Sequence, residues 1–205
     1  MGVFDLKSEL AKYGEYHSNK LNVSIHIVFV PLILWTFLGI GTYLSPHELF
    51  SYPASIASAL SQIPGPNPLP NFATLAMFGF VSFYVILDPF AGLLTVPIIY
   101  AFLVTAQQFV LTMSNGIGVT VGLFVFSWVA QFVGHGVFEK RAPALLNNLL
   151  QALVMAPFFV FLEVLFICGY RPGLQREVRS EIGTRILKFR REQKAKAVGS
   201  AKATE

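Results

Sequence analysis

The 205-residue chain is 54% hydrophobic and only 13% charged, with a net charge of +4 and a single cysteine, Cys168. Soluble domains are about a quarter charged, so this composition excludes that class and indicates a membrane protein embedded in the lipid bilayer. It excludes an internal disulfide and a cysteine-based zinc site, and a chain whose basic residues stop at Lys20 and resume at Lys140 offers no nucleic-acid-binding face.

The first residues read as a short amphipathic helix. Val3, Leu6, Leu10 and Tyr13 recur at helical spacing within 3–16, with Asp5, Lys7, Ser8, Glu9 and Lys12 elsewhere, a pattern suited to the membrane interface. The polar start through Lys20 is unlike a cleaved signal, so the first span is expected to act as the insertion signal. YHSNKLN breaks the period, and Leu21 to Leu44 is then long enough to cross a hydrocarbon core, which takes about 20 residues. Pro31 is expected to kink that span rather than end it. From Ser45 to Asn71 the chain turns proline-rich, with no basic residue and one short interfacial helix expected at 54–62.

Phe72 to Leu87, Ala91 to Met113 and Ile117 to Phe138 form further spans, joined so tightly that neighbours should be antiparallel. A fifth apolar run, Ala144 to Tyr170, carries Asn147, Asn148, Gln151, Pro157 and Glu163, and is expected to be a pair of half-helices broken near Pro157. The predicted fold class is all-α, a polytopic membrane helical bundle of four spans plus a broken or re-entrant fifth segment, with amphipathic helices at both ends. Residues 1–205 read as one membrane domain, with an interfacial helix at 1–20, a membrane core at 21–170 and a basic tail at 171–205. Lys7, Lys12 and Lys20 precede the first span and Lys140 and Arg141 follow the fourth, which puts both termini in the cytoplasm. Nothing in the sequence speaks to oligomeric state.

That topology gathers chemistry at one end of the bundle. His17, His26, Asp88, His135 and Glu139 all fall on the cytoplasmic side. Gln131, His135 and Glu139 recur every four residues, which on an α-helix stacks them on one face. His17 and His26 are nine residues apart and would oppose each other on one continuous helix at about 100° per residue. They converge only if the chain bends at Ser18-Asn19-Lys20, with Asn19 or Asn22 capping the next helix. Ionisable groups in a membrane are costly and mark function. The pattern therefore predicts a metal site of His17, His26 and His135, with Glu139 or Asp88 as fourth ligand or supporting partner, suited to iron or zinc. Arg141 marks the span end and is a fork for a carboxylate, while Gly134 and Gly136 flank His135 as small residues do at a close helix contact. His47, in the opposite loop, is left out. Two other classes compete: a non-catalytic scaffold or lipid-binding protein with structural histidines, and a small transporter with Asp88, Glu139 and Glu163 along a polar path.

Two long motifs, YHSNKLNVSIHIVFVP and QFVGHGVFEKRAPALLNNLLQALVMAPFFVFLE, resemble the signatures of the small multispan 2-hydroxy fatty acid dioxygenases of fungi, a family found also in bacteria and plants. The resemblance spans nearly the whole chain, although 45–116 matches in hydropathy more than in residues. It implies an endoplasmic-reticulum enzyme, dependent on Fe(II), that shortens a long-chain 2-hydroxy fatty acid by one carbon with dioxygen. This α-oxidation belongs to phytosphingosine breakdown, a part of sphingolipid metabolism. The family's histidines map onto His17, His26 and His135. Gln131, Glu139 and Asn148 would then orient the imidazoles and the bound oxygen.

Overall fold

The computed structural model describes residues 4–140 and 151–202. Among these the chain is helical throughout, without strands. Helix α1 (Leu6–Gly14) starts at Asp5, whose carboxylate accepts the Ser8 N–H at 3.1 Å. Helix α2 (Lys20–Leu44) starts at Asn19, whose side chain accepts the Leu21 N–H at 2.9 Å, and runs unbroken through Pro31. After the loop and the short exposed helix α3 (Ala54–Leu60), α4 (Phe72–Leu87) is capped by Asn71, and α5 (Pro89–Thr112) by Asp88 with Pro89 in its first turn. Each cap satisfies an N–H that the helix start leaves open, and proline is best tolerated there. Helix α6 (Gly116–Val133) continues as a π-helical extension over Gly134–Glu139. A π-helical turn at Gln151–Met155 leads into α7 (Ala156–Ile167), followed by α8 (Pro172–Lys202).

Lys20–Leu44, Pro89–Thr112 and Gly116–Glu139 are long and apolar enough to cross a membrane. Helix α4, with 16 residues, reaches about 24 Å at 1.5 Å per residue. Helix α2 is the hub, packing against α4, α5, α6 and α7. Leu34, Leu38, Tyr84, Ile99, Leu103, Phe158 and Phe159 fill the centre. Helix α6 is inverted relative to a helix in water: Val125, Phe126, Val129 and Phe132 face outward, whereas Thr120, Ser127 and Gln131 are buried. That is the arrangement expected where lipid replaces water. On the far side, Gln107 ties the 45–71 loop to the bundle, accepting the Leu69 N–H at 2.7 Å and donating to the Leu69 carbonyl at 3.0 Å.

Of the fifth apolar run, 144–150 lies outside the described residues; 151–167 runs on as helix with no break near Pro157, and the bend comes after it. Leu153–Ile167 and Pro172–Ala195 meet at 118°. Pro157 sits in the first turn of α7, where its missing N–H costs little, and the preceding π turn carries the chain into it. The reversal occurs at Gly169 (φ 86°) and Arg171 (φ 42°). There Asp88 accepts Tyr170 Oη–H at 2.9 Å and Arg171 Nη1–H at 2.7 Å, locking the bend to the α4–α5 turn. Beyond it α8 packs along α1, with a Lys7–Glu177 ion pair of 2.7 Å and Ile182 against Gly14. The apolar face of α1, Leu6, Leu10 and Tyr13, is therefore buried on protein.

Gly92 lets α5 lie directly on α4, because a Cβ there would sit 2.5 Å from the backbone of Tyr84 and Val85. Gly92→Ala is expected to lower stability by about 1–3 kcal/mol, the usual cost of overpacking. Gly79→Ala, in mid-helix and meeting open space, should leave it unchanged or raise it by up to about 1 kcal/mol. Thermal unfolding of the two variants in detergent distinguishes them.

Candidate metal centre

The site begins with the bend at 17–19. Helix α1 ends as the Tyr16 and His17 N–H groups turn back onto the Tyr13 and Gly14 carbonyls, and Asn19 restarts the helix as α2. The His17 ring stacks on Tyr13 at 3.8 Å and 13° between planes. Its Nδ1 lies 2.7 Å from the Tyr13 carbonyl, and His26 Nδ1 lies 2.9 Å from the Asn22 carbonyl. A carbonyl only accepts, so both Nδ1 atoms carry the proton and each ring keeps Nε2 as a lone-pair donor. Anchoring a ligating imidazole through its other nitrogen is the usual way its tautomer and direction are fixed.

His135 comes from the opposite side. The π-helical extension replaces i→i+4 bonding by i→i+5, a feature common at functional sites. From it His135 turns to the other two imidazoles, while the Glu139 carboxylate meets the donors of the bend. His135 joins the two imidazoles, with ring centroids 4.8 Å from His17 and 4.9 Å from His26, while His17 and His26 are 4.3 Å apart. One ring nitrogen from each of the three lies within 4.8 Å of the others. Bonds of about 2.1 Å to a shared ion would draw them slightly closer.

Glu139 instead grips the bend. Its Oε1 accepts Ser18 N–H at 3.1 Å and Ser18 Oγ–H at 2.5 Å, and its Oε2 accepts Asn19 N–H at 2.9 Å and Asn22 Nδ2–H at 3.2 Å. Asn19 Nδ2 donates in turn to the Phe138 carbonyl at 3.2 Å. Gly134 is required beside it, since a Cβ there would collide with Asn22 Oδ1, while Gly136 meets open space. Asp88, weighed above as a fourth ligand, is corrected: its carboxylate is taken by Tyr170, Arg171 and the Ala91 N–H. His47 follows the far end of α2, about 27 Å of helix beyond His26 at 1.5 Å per residue. Arg141 and Asn148 lie outside the described residues. The sequence alone does not place Tyr13, Ser18 and Asn22 in the site; the polar run YHSNKLN at the edge of an apolar span was the available signal for Ser18 and Asn22, and Tyr13 carried none.

The donor set suits a divalent transition metal. Burial, with His26 and His135 alongside, holds the His17 imidazole well below its usual range, in the neutral form that can ligate. His135 is 4% exposed and its Nδ1 has no hydrogen-bond partner. Such an orphaned buried polar atom costs about 1–3 kcal/mol unless a ligand satisfies it.

Comparison with known proteins gives the family. The family model described as 2-hydroxy-palmitic acid dioxygenase Mpo1-like matches residues 3–167, which include all three histidines. The 2-hydroxy-palmitic acid dioxygenase MPO1 of Saccharomyces cerevisiae is 35% identical over 195 residues, covering 93% of this chain and 98% of that protein. No solved structure matches. The chain, an apolar multi-helix membrane protein with a convergent histidine triad, belongs to the Mpo1-like family.

Proposed function

We propose that this chain is an Fe(II)-dependent dioxygenase of the endoplasmic-reticulum membrane that shortens long-chain 2-hydroxy fatty acids by one carbon, an α-oxidation that serves phytosphingosine breakdown. The observation that carries the reading is the convergence of His17, His26 and His135 at the membrane end of a chain similar to a 2-hydroxy-palmitic acid dioxygenase. The reaction balances without a further reductant: R–CH(OH)–COOH and O2 give R–COOH, CO2 and H2O. The C1–C2 bond breaks, and the four electrons taken up by dioxygen come from C1 and C2. When bound, ferrous iron supplies the electron transfer that activates dioxygen and a Lewis-acid centre for the hydroxy acid's oxygens.

The chain's own residues do the rest. His17, His26 and His135 hold the ion as neutral imidazoles. The Tyr13 and Asn22 carbonyls keep the first two pointed inward. Glu139 acts by positioning, since the Ser18–Asn22 donors already occupy both its oxygens, and Arg141 is assigned to the carboxylate end of the substrate. The acyl chain lies in the bilayer against the apolar faces of the bundle, which keeps water from the reacting carbons.

His135→Ala should lose both iron and conversion of 2-hydroxypalmitate, read by elemental analysis and by mass spectrometry of the pentadecanoic acid product. Glu139→Gln should keep part of its iron and lose about 10–100-fold in affinity or rate, the usual effect of removing a partner that orients ligands. A folded His135→Ala protein working at the parental rate overturns the assignment.

The same reading places both termini in the cytoplasm and the 45–71 loop in the lumen, because the basic residues then share one side. A glycosylation acceptor engineered near Asn67 is expected to be modified and one at the C-terminus to remain bare. The reverse pattern contradicts the orientation.

A further inference from the structure

Gln131 is buried at 5% exposure, yet its Nε2 has no hydrogen-bond partner. The bundle shows what structural polar residues do in its interior. Thr120 and Ser127, on the same buried side of α6, donate to the Gly116 and Leu123 carbonyls, each at 2.7 Å. Gln107, a second buried glutamine, commits its amide fully, with Nε2 donating to the Leu69 carbonyl, Asn71 Oδ1 and Thr74 Oγ1 and Oε1 accepting the Leu69 N–H. Gln131 leaves both N–H donors of its amide unspent in an apolar bundle; Tyr13 Oη, Asn22 Oδ1 and Ser45 Oγ are the other side-chain atoms, besides His135 Nδ1, left so among the described residues. It stands about one helical turn before His135, on the membrane side of the triad. His135 Nδ1 and Gln131 Nε2, both orphaned, are thus neighbours along one helix.

A 2-hydroxy acid entering from the bilayer has three chemically distinct parts in order: an apolar chain, an oxygen on C2 and a carboxylate. The carboxylate is charged and belongs toward the aqueous end, where Lys20 and Lys140 mark the surface. The neutral amide one turn deeper matches the C2 oxygen, which lies between carboxylate and chain. Resting on the function proposed above, we infer that the Gln131 amide donates a hydrogen bond to the C2 oxygen of the substrate and so sets the preference for a 2-hydroxylated over an unsubstituted acid. The residue is a specificity determinant and holds no metal. A buried donor rejects the analogue lacking its acceptor, because the donor is then left unpaired.

The test uses the full-length protein in detergent, loaded with Fe(II) under anaerobic conditions so that no turnover occurs. Binding of 2-hydroxypalmitate and of palmitate is measured for the parent, Gln131→Met and Gln131→Asn, beside iron content and melting temperature. The methionine has similar length and no polar group; the asparagine keeps the amide but withdraws it by one methylene, so the test stands if the methionine variant does not fold. Both variants are expected to retain iron. Their preference for the hydroxy acid should fall about fivefold or more, the worth of one neutral hydrogen bond. Gln131→Met should melt at or above the parent, since an unpaired donor is gone. Unchanged preference in a folded variant overturns the inference, and so does loss of iron, which would make Gln131 a support of the triad. A parent protein with no preference for the hydroxy acid overturns the proposed function itself, an outcome read before any variant is compared.

Discussion

The carboxylate of Glu139 is the interaction on which the site depends. It stands at the end of α6 and collects donors from Ser18, Asn19 and Asn22, residues more than a hundred positions earlier in the chain. Through that one group the junction of α1 and α2 is held against the last turns of α6. Hydrogen bonds to a charged acceptor contribute more than neutral ones, although the two from Ser18 are exposed and are weakened by water. With the bend held, His17 and His26 face the same point although they start on opposite sides of a helical register. His135 then meets them from the π-helical turns that follow α6.

The remainder of the bundle answers a different constraint, that of satisfying polar groups inside an apolar solvent. Most do so locally. Thr42, Thr120 and Ser127 donate to carbonyls of their own helices, and Asn71 caps α4 while bonding Gln107. Tyr84 crosses the core to reach the Val154 carbonyl at 2.8 Å. Against that background Tyr13 Oη, Asn22 Oδ1, Ser45 Oγ, Gln131 Nε2 and His135 Nδ1 are buried without a partner, and all but Ser45 belong to the histidines or to residues beside them. Their cost is sustained by dense packing elsewhere, where Leu38, Leu103, Phe158 and Leu162 have no exposure at all.

Much of this was legible from the residues. Phe72 to Leu87 is bounded by Asn71 and Asp88, both strong capping residues, and the helix has those limits. The need for a bend at Ser18-Asn19-Lys20 followed from the nine-residue spacing of two histidines, and Asn19 does cap α2. The π-helical extension was not legible, because nothing local in GHGVFE distinguishes i→i+5 from i→i+4 bonding. The reversal after α7 was misplaced for a related reason. Pro157 is the obvious breaker by composition, but a proline in a first turn breaks nothing, and the bend is set by Asp88 capturing Tyr170 and Arg171 from eighty residues away. Asp88 stood beside Glu139 as a candidate fourth ligand or supporting partner for want of those two contacts, which no periodicity reveals.

The central claim is that three imidazoles from two distant parts of the chain share one ferrous ion. Iron K-edge X-ray absorption on the detergent-purified protein, loaded with Fe(II) without oxygen, addresses it directly. The account predicts three histidine nitrogens at about 2.1 Å, typical of imidazole on a divalent first-row metal, with the outer-ring scattering that identifies imidazole. A spectrum of oxygen ligands alone, or of one imidazole only, would contradict it.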